Sequence, residues 1–159
     1  MFKNLVLAGV AVVALVTSAQ AEEVYYNDAL PAVVDMEGQP SADDLAYISK
    51  RCAGLYMHNA VRLEAALDGG DNRVSQELID GYYNAVDNFM TVPVRVSVQR
   101  GYRVEESIEI VGAEVERHLN TYINHSQRAR HQTGHFSADP IIRVDGEFCK
   151  MVYTVLFSE

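Results

Sequence analysis

The segment VEESIEIVGAEVERHLNTYINHSQRARH, residues 104–131, is the clearest structural signal in this 159-residue chain. Acidic side chains lie at its start and basic ones at its end, as the helix dipole favours. Its apolar residues recur at spacings of three or four, the period of one helix face. The segment therefore predicts a long amphipathic helix over 104–131. The residues of its apolar face are Ile108, Val111, Val115, Leu119, Tyr122 and Ile123.

Two more helices are predicted before it. The pattern of residues 41–44 resembles a capping box, and the apolar spacing that follows predicts a helix over 42–67. Glycines at 69–70 supply the backbone freedom for a turn after it. A second periodic segment predicts a helix over 74–90, which Pro93 is expected to end or kink.

Residues 92–99 allow two interpretations. Valine alternates with other residues there, and this period of two is typical of a half-buried strand. No other segment offers a convincing pairing partner, and a lone strand leaves its backbone groups without hydrogen bonds. We therefore prefer helical or irregular structure, with a short strand as the alternative.

The first residues resemble a secretory signal peptide. Lys3 precedes an apolar run over 5–16, and Ala19-Gln20-Ala21 forms a small-x-small cleavage site. The run is shorter than the roughly 20 residues that a membrane-spanning helix needs. We expect cleavage after Ala21 and export, to the periplasm in a Gram-negative bacterium and otherwise to the medium. The alternative is an uncleaved membrane anchor.

The chain has two cysteines, Cys52 and Cys149, so only one intramolecular pairing exists. An oxidising compartment favours a structural disulfide between them. The alternative is a reactive thiol, but no C-x-x-C spacing supports it. The expected bond would tie the first long helix to the last segment of the chain.

The last part of the chain predicts a further helix. Proline suits a first helical turn, and Asp139-Pro140 precedes an apolar stretch over 140–157. Residues 22–40 show no sustained period, so we expect an irregular arm there. The predicted fold is all-α: a disulfide-stapled bundle of about four helices in a single domain over 41–159, preceded by that arm.

The charge of the chain limits its partners. It has 22 acidic and 13 Lys and Arg residues, a net charge of −9, which disfavours nucleic acid and anionic membrane surfaces. No apolar run after the leader is long enough for stable membrane insertion. Residues 22–90 hold 13 acidic and 4 basic residues, so a cationic protein partner would approach this half. We favour the alternative, an acidic surface that keeps an exported protein soluble.

The metal-ligand candidates are Glu114, His118 and His125. Glu114 and His118 share a face of the predicted 104–131 helix, and His125 lies on a similar face about two turns later. However, the Glu-x-x-His and H-E-x-x-H patterns of helical metal sites are absent. We favour the other interpretation, in which the late histidines are solvated residues near a helix end: His118, His125, His131 and His135. No metal or other cofactor is predicted.

Two tyrosine pairs, 25–26 and 82–83, could supply aromatic anchors for a partner or a ligand. The alternative is that each pair places one ring in the core and leaves the other at the surface.

Motifs for nucleophilic catalysis, phosphate binding and haem attachment are absent. The turn at 68–71 lacks the glycine and glutamate of a calcium-binding EF-hand loop. We predict no enzymatic activity. The favoured hypothesis is a non-enzymatic interaction or structural module of the cell envelope. The alternative is a metal- or small-ligand-binding bundle that uses the face of the 104–131 helix.

Overall fold

Helices account for nearly all of the described chain. The structure is a computed structural model that describes Tyr26, residues 28–34 and residues 38–157, so the predicted signal peptide over 1–21 lies outside the described residues. No strand occurs in the described ranges, which confirms the all-α bundle of four long helices. The helices are α1 (Leu30–Val33), α2 (Ala42–Asp68), α3 (Gln76–Gln99), α4 (Val104–Thr133) and α5 (Pro140–Phe157), with a 3-10 turn at Phe136–Ala138 before α5.

Local capping sets the helix ends. The Ser41 hydroxyl accepts a hydrogen bond from the Asp44 backbone N–H, and the Asp44 carboxylate accepts one from the Ser41 backbone N–H, which completes the predicted capping box of α2. At the other end of the bundle, α4 stops at Gly134, whose φ of 79° is left-handed. These short-range signals explain why the predicted bounds of α2 and α4 lie within about two residues of the observed ones.

The α3 helix differs from the prediction. It continues through Pro93 to Gln99, so residues 92–99 are helical, and both the strand alternative and the expected end at Pro93 are wrong. Proline removes one hydrogen bond from a helix. Here Pro93 is buried, and the packing of α3 on α2 offsets the loss.

The α2 helix lies at the centre of the bundle and contacts α3, α4 and α5. Its closest approach to α4 is at Gly54, where an added Cβ would lie 2.6 Å from the Cβ of His118. The buried core that surrounds α2 includes Leu30, Ile48, Leu55, Val86, Phe89, Val111, Val115, Tyr122, Phe148 and Val152.

The predicted disulfide between Cys52 and Cys149 is confirmed. It joins α2 to α5 with 5.5 Å between the two Cα atoms, and both cysteines are fully buried. The bond spans 97 residues of sequence. Closing a loop of this length stabilises the fold by about 4–5 kcal/mol in the chain-entropy model.

Within the described ranges, no helix combines the length and the apolar character that a membrane crossing requires.

Candidate functional site

A buried ion pair lies beside the disulfide. Arg51 precedes Cys52 on α2, and Asp145 lies one turn before Cys149 on α5. The Arg51 Nη2 and Nε atoms are 2.7 and 3.0 Å from one Asp145 oxygen, and the two side chains are 1% and 0% exposed. Burial is costly for charges unless each is paired and hydrogen-bonded.

Further hydrogen bonds complete this pair. The Tyr122 hydroxyl donates to Asp145 over 2.5 Å, and the Leu30 backbone N–H donates to its other oxygen over 2.6 Å. Arg51 also donates to the backbone carbonyl of Asp28. Burial, followed by the negative charge of Asp145, raises the pKa of Tyr122 well above its ordinary value. The network therefore joins the arm, α2, α4 and α5 at one point.

Tyr26 places the arm on α4. Its backbone N–H donates to Nε2 of His125 over 3.2 Å, and its hydroxyl hydrogen-bonds to Nδ1 of His118. The guanidinium carbon of Arg51 lies 3.6 Å from the centre of the Tyr26 ring, a cation–π contact. Burial raises the pKa of Tyr26, with Arg51 acting in the opposite direction. Tyr26 is thus half-buried and packs against the core, and Tyr25 lies outside the described residues, so the core-and-surface interpretation of this pair stays a prediction.

Each of the three metal-ligand candidates has a partner within the bundle. Glu114 pairs with Lys50 over 2.6 Å, His118 bonds to Tyr26, and Nδ1 of His125 lies 2.9 Å from an Asp139 oxygen. In the part of the chain that the structure describes, no three His, Cys, Asp or Glu residues converge as a metal site would require.

The late histidines do not share one environment. His131 and His135 are exposed, as the solvated alternative proposed, but His125 is buried and His118 is half-buried, so that alternative is wrong for these two. Burial, together with the positive charges of Arg51 and Lys50, lowers the pKa of His118 to about 4. His118 is therefore neutral at pH 7.

Glu114 and His118 line one small cavity of about 220 Å³ between α2 and α4. Three hydroxyl groups, from Tyr26, Tyr47 and Thr121, share it. Its charged groups are bonded to one another, since Lys50 and Glu114 form an ion pair across it. Glu114 and His118 therefore lie on one face of α4, as predicted. His125 does not line this cavity and bonds to Asp139 and the Tyr26 backbone.

A serine and a histidine also meet in the core. Nε2 of His58 is 2.7 Å from the Ser126 hydroxyl, and both residues are buried. Burial lowers the pKa of His58 to about 4. A nucleophilic triad needs an exposed serine and an acid that orients the histidine. Ser126 lies inside α4, and no carboxylate of the described residues bonds to Nδ1 of His58. This contact is a hydrogen bond of the core.

A groove lies between α2, α3 and α5, and we name it the aromatic groove. Its volume is about 610 Å³, and Tyr56 and Tyr82 form its aromatic walls with ring centroids 5.4 Å apart. Its lining residues are Leu55, Tyr56, Asn59, Ser75, Glu77, Leu78, Gly81, Tyr82, Gly146 and Lys150. Sequence reasoning did not find this groove, although two glycines inside helical segments were a signal for it.

An apolar surface covers the outer side of α5, and we name it the α5 stripe: Val144, Phe148, Met151 and Val155. Val155 is 76% exposed, Met151 49% and Val144 38%, whereas Phe148 is 7% exposed and packs mainly into the core. A shallow hollow of about 470 Å³ lies along it, bordered by Pro31 of α1.

No protein-family model, curated protein or solved structure matches this chain.

Proposed function

We propose that this chain is a non-enzymatic, exported interaction module whose α5 stripe binds an apolar face of a helix in a partner protein of the cell envelope. The observation that carries the proposal is the stripe itself. Val144, Phe148, Met151 and Val155 follow one another at spacings of four, three and four, which is the spacing of a helix face that packs against a second helix.

The charges beside the stripe support a helical partner. Arg143 and Glu147 border its hollow. Charged residues that flank an apolar seam are typical of paired helices, where they select the partner and its direction. The flanks of the stripe carry both signs, so the expectation of a cationic partner stays a prediction.

The burial and internal partners of the titratable groups support a non-enzymatic role. The Arg51–Asp145 pair is buried and fully hydrogen-bonded, and Glu114 and His118 have internal partners. The Ser126–His58 contact is buried as well. Catalytic groups need access to a substrate, and these groups instead hold the arm and the helices together.

Export is supported by the predicted leader and by the disulfide, because such bonds persist in oxidising compartments. Mass spectrometry of the protein isolated from its host is expected to find a chain that begins at Glu22 and lacks free thiols. A chain that retains residues 1–21, or that carries two reduced cysteines, would contradict export.

Site-specific photo-crosslinking in the host tests the interaction. A photoreactive phenylalanine derivative is placed at Met151 on the stripe and, as the control, at exposed Glu116 on α4. We expect a discrete crosslinked product with one partner from position 151 and none from position 116. Equal products from both positions, or none from either, would contradict the proposal.

A charged residue placed in the α5 stripe provides a second test. Met151→Glu is expected to abolish the crosslink from a probe at Val155 without lowering the thermal midpoint, since Met151 is half exposed. Persistence of that crosslink would show that the stripe is not the binding surface.

A further inference from the structure

We infer that the aromatic groove binds a small molecule with an aromatic or branched apolar body and a single negatively charged group. This site lies on the opposite flank of α5 from the α5 stripe. It therefore neither requires nor excludes the proposed protein partner.

The shape and lining of the groove suit a small apolar molecule. Its volume of about 610 Å³ is within the roughly 300–1,000 Å³ of ligand pockets. Tyr56 and Tyr82 offer ring faces, and Leu55 lies at the floor with 1% exposure. Leu78 is 44% exposed at the side of the groove, so a bound apolar molecule would cover surface that now faces water.

The groove is open because two helices carry glycine where they face it. Gly81 lies inside α3 and Gly146 inside α5, and an added Cβ at either position would meet nothing within 4 Å. Neither has a positive φ. Neither the backbone nor the packing requires glycine here, although glycine costs a helix about 1 kcal/mol relative to alanine. The effect of the two glycines is free space in the groove.

The charges of the lining select the ligand. Lys150 faces the groove, and in the described part of the chain no carboxylate lies within ion-pair distance of it. An anionic group on a ligand would supply that partner.

Glu77 also lines the groove, and its negative charge opposes a second anionic group. Asn59 and Ser75 add polar groups that can orient the ligand. The lining therefore suits one anionic group placed at Lys150, and Glu77 disfavours a second one.

Two fluorescent probes of nearly equal shape test the charge preference. Anilinonaphthalene sulfonate has an aromatic body and one negative charge, and phenylnaphthylamine has the same body without the sulfonate. We expect the full mature chain to bind one equivalent of the sulfonate probe more tightly than the neutral probe. Lys150→Met should weaken the sulfonate probe about fivefold and leave the neutral probe unchanged.

Replacing the two groove glycines with leucine tests whether the probes bind in the aromatic groove. The double variant Gly81→Leu with Gly146→Leu should lose binding of both probes. Gly112→Leu is the matched control, because Gly112 lies inside α4, away from the groove, and an added Cβ there also meets nothing within 4 Å. Circular dichroism and thermal unfolding verify that each variant folds. If the double variant is unstable, the Lys150→Met comparison decides, since Lys150 is exposed and its replacement leaves the core intact.

Three results would overturn the inference. The first is that the glycine double variant folds and binds the sulfonate probe as the unaltered chain does. The second is that Lys150→Met weakens both probes equally or neither. The third is that Met151→Glu, on the α5 stripe, abolishes probe binding, because the probe would then occupy the stripe and not the groove.

Discussion

The Tyr26 hydroxyl hydrogen-bonds to Nδ1 of His118, and this contact holds the first described residue of the arm against α4. The same tyrosine packs over Arg51, so a residue close to the predicted cleavage site is part of the buried polar network. Tyr26 and residues 28–34, which the structure describes, therefore pack on the bundle as part of it.

Truncation of Tyr26 should destabilise the protein. Tyr26→Ala removes the ring and its hydrogen bonds, and we expect a loss of about 2–3 kcal/mol in the free energy of unfolding. Tyr26→Phe keeps the ring and should cost about 1 kcal/mol. Urea unfolding measures both.

The control is Tyr102→Ala, because Tyr102 is 47% exposed and its loss should change stability by less than about 0.5 kcal/mol. Equal effects of Tyr26→Ala and Tyr102→Ala would refute the anchor role.

Stability should fall in mild acid. His58 and His118 have pKa values lowered to about 4 in the folded chain, chiefly by burial, against an ordinary value of about 6.5. Protons therefore bind the unfolded chain first, so the stabilisation is complete above pH 6.5 and is lost as the pH falls towards 4. Buried His58 alone should account for as much as about 3 kcal/mol. Urea unfolding at a series of pH values measures the decline.

His58→Gln is the control for the acid effect. Since glutamine does not titrate, this variant should lose less stability between pH 6.5 and 4 than the unaltered chain does. An identical decline in both proteins would show that His58 does not contribute to it.

The crossing of α2 and α4 at Gly54 predicts a steric effect. In Gly54→Ala the new Cβ would lie 2.6 Å from the Cβ of His118 and 2.9 Å from the backbone nitrogen of Leu119. The helices must move apart, which should cost about 1–3 kcal/mol. Gly112→Ala in open space should instead stabilise by about 0.4–1 kcal/mol. Thermal unfolding compares the two, and a stabilising Gly54→Ala would contradict the close approach.

The Arg51–Asp145 pair predicts strong energetic coupling. Either Asp145→Asn or Arg51→Met leaves the other charge buried without its partner, and each should cost about 3–5 kcal/mol. The double variant should lose less than the sum of the two losses, because it contains neither uncompensated charge. A double-mutant cycle from urea unfolding measures this difference. Additive losses would mean that the two residues stabilise the fold independently.

Local patterns predicted the helices well and the polar network poorly. The capping residues at 41–44 and Gly134 act over a few positions, so they can be read from sequence. The valines at 92–98 are ambiguous, because a period of two is compatible with a strand and only the burial of Pro93 against the rest of the bundle makes the segment helical.

The buried network depends on contacts between distant residues. Arg51 and Asp145 are 94 positions apart, and nothing local distinguishes them from solvated charges. One signal was present: Asp145 lies four residues before Cys149, hence on the same helix face as a predicted buried disulfide. A carboxylate in that place requires a cation. His125 was misjudged for a similar reason, since its partner Asp139 lies beyond the end of α4.

The docking of the arm also sets an order of events during synthesis of the chain. Tyr26 bonds to residues 92 and 99 positions further along the chain, and Leu30 to one 115 positions further. None of these partners exists until α4 and α5 have been synthesised, so Tyr26 and Leu30 cannot dock before then. The last helix to be synthesised, α5, therefore supplies the Asp145 oxygen that holds Leu30 in place.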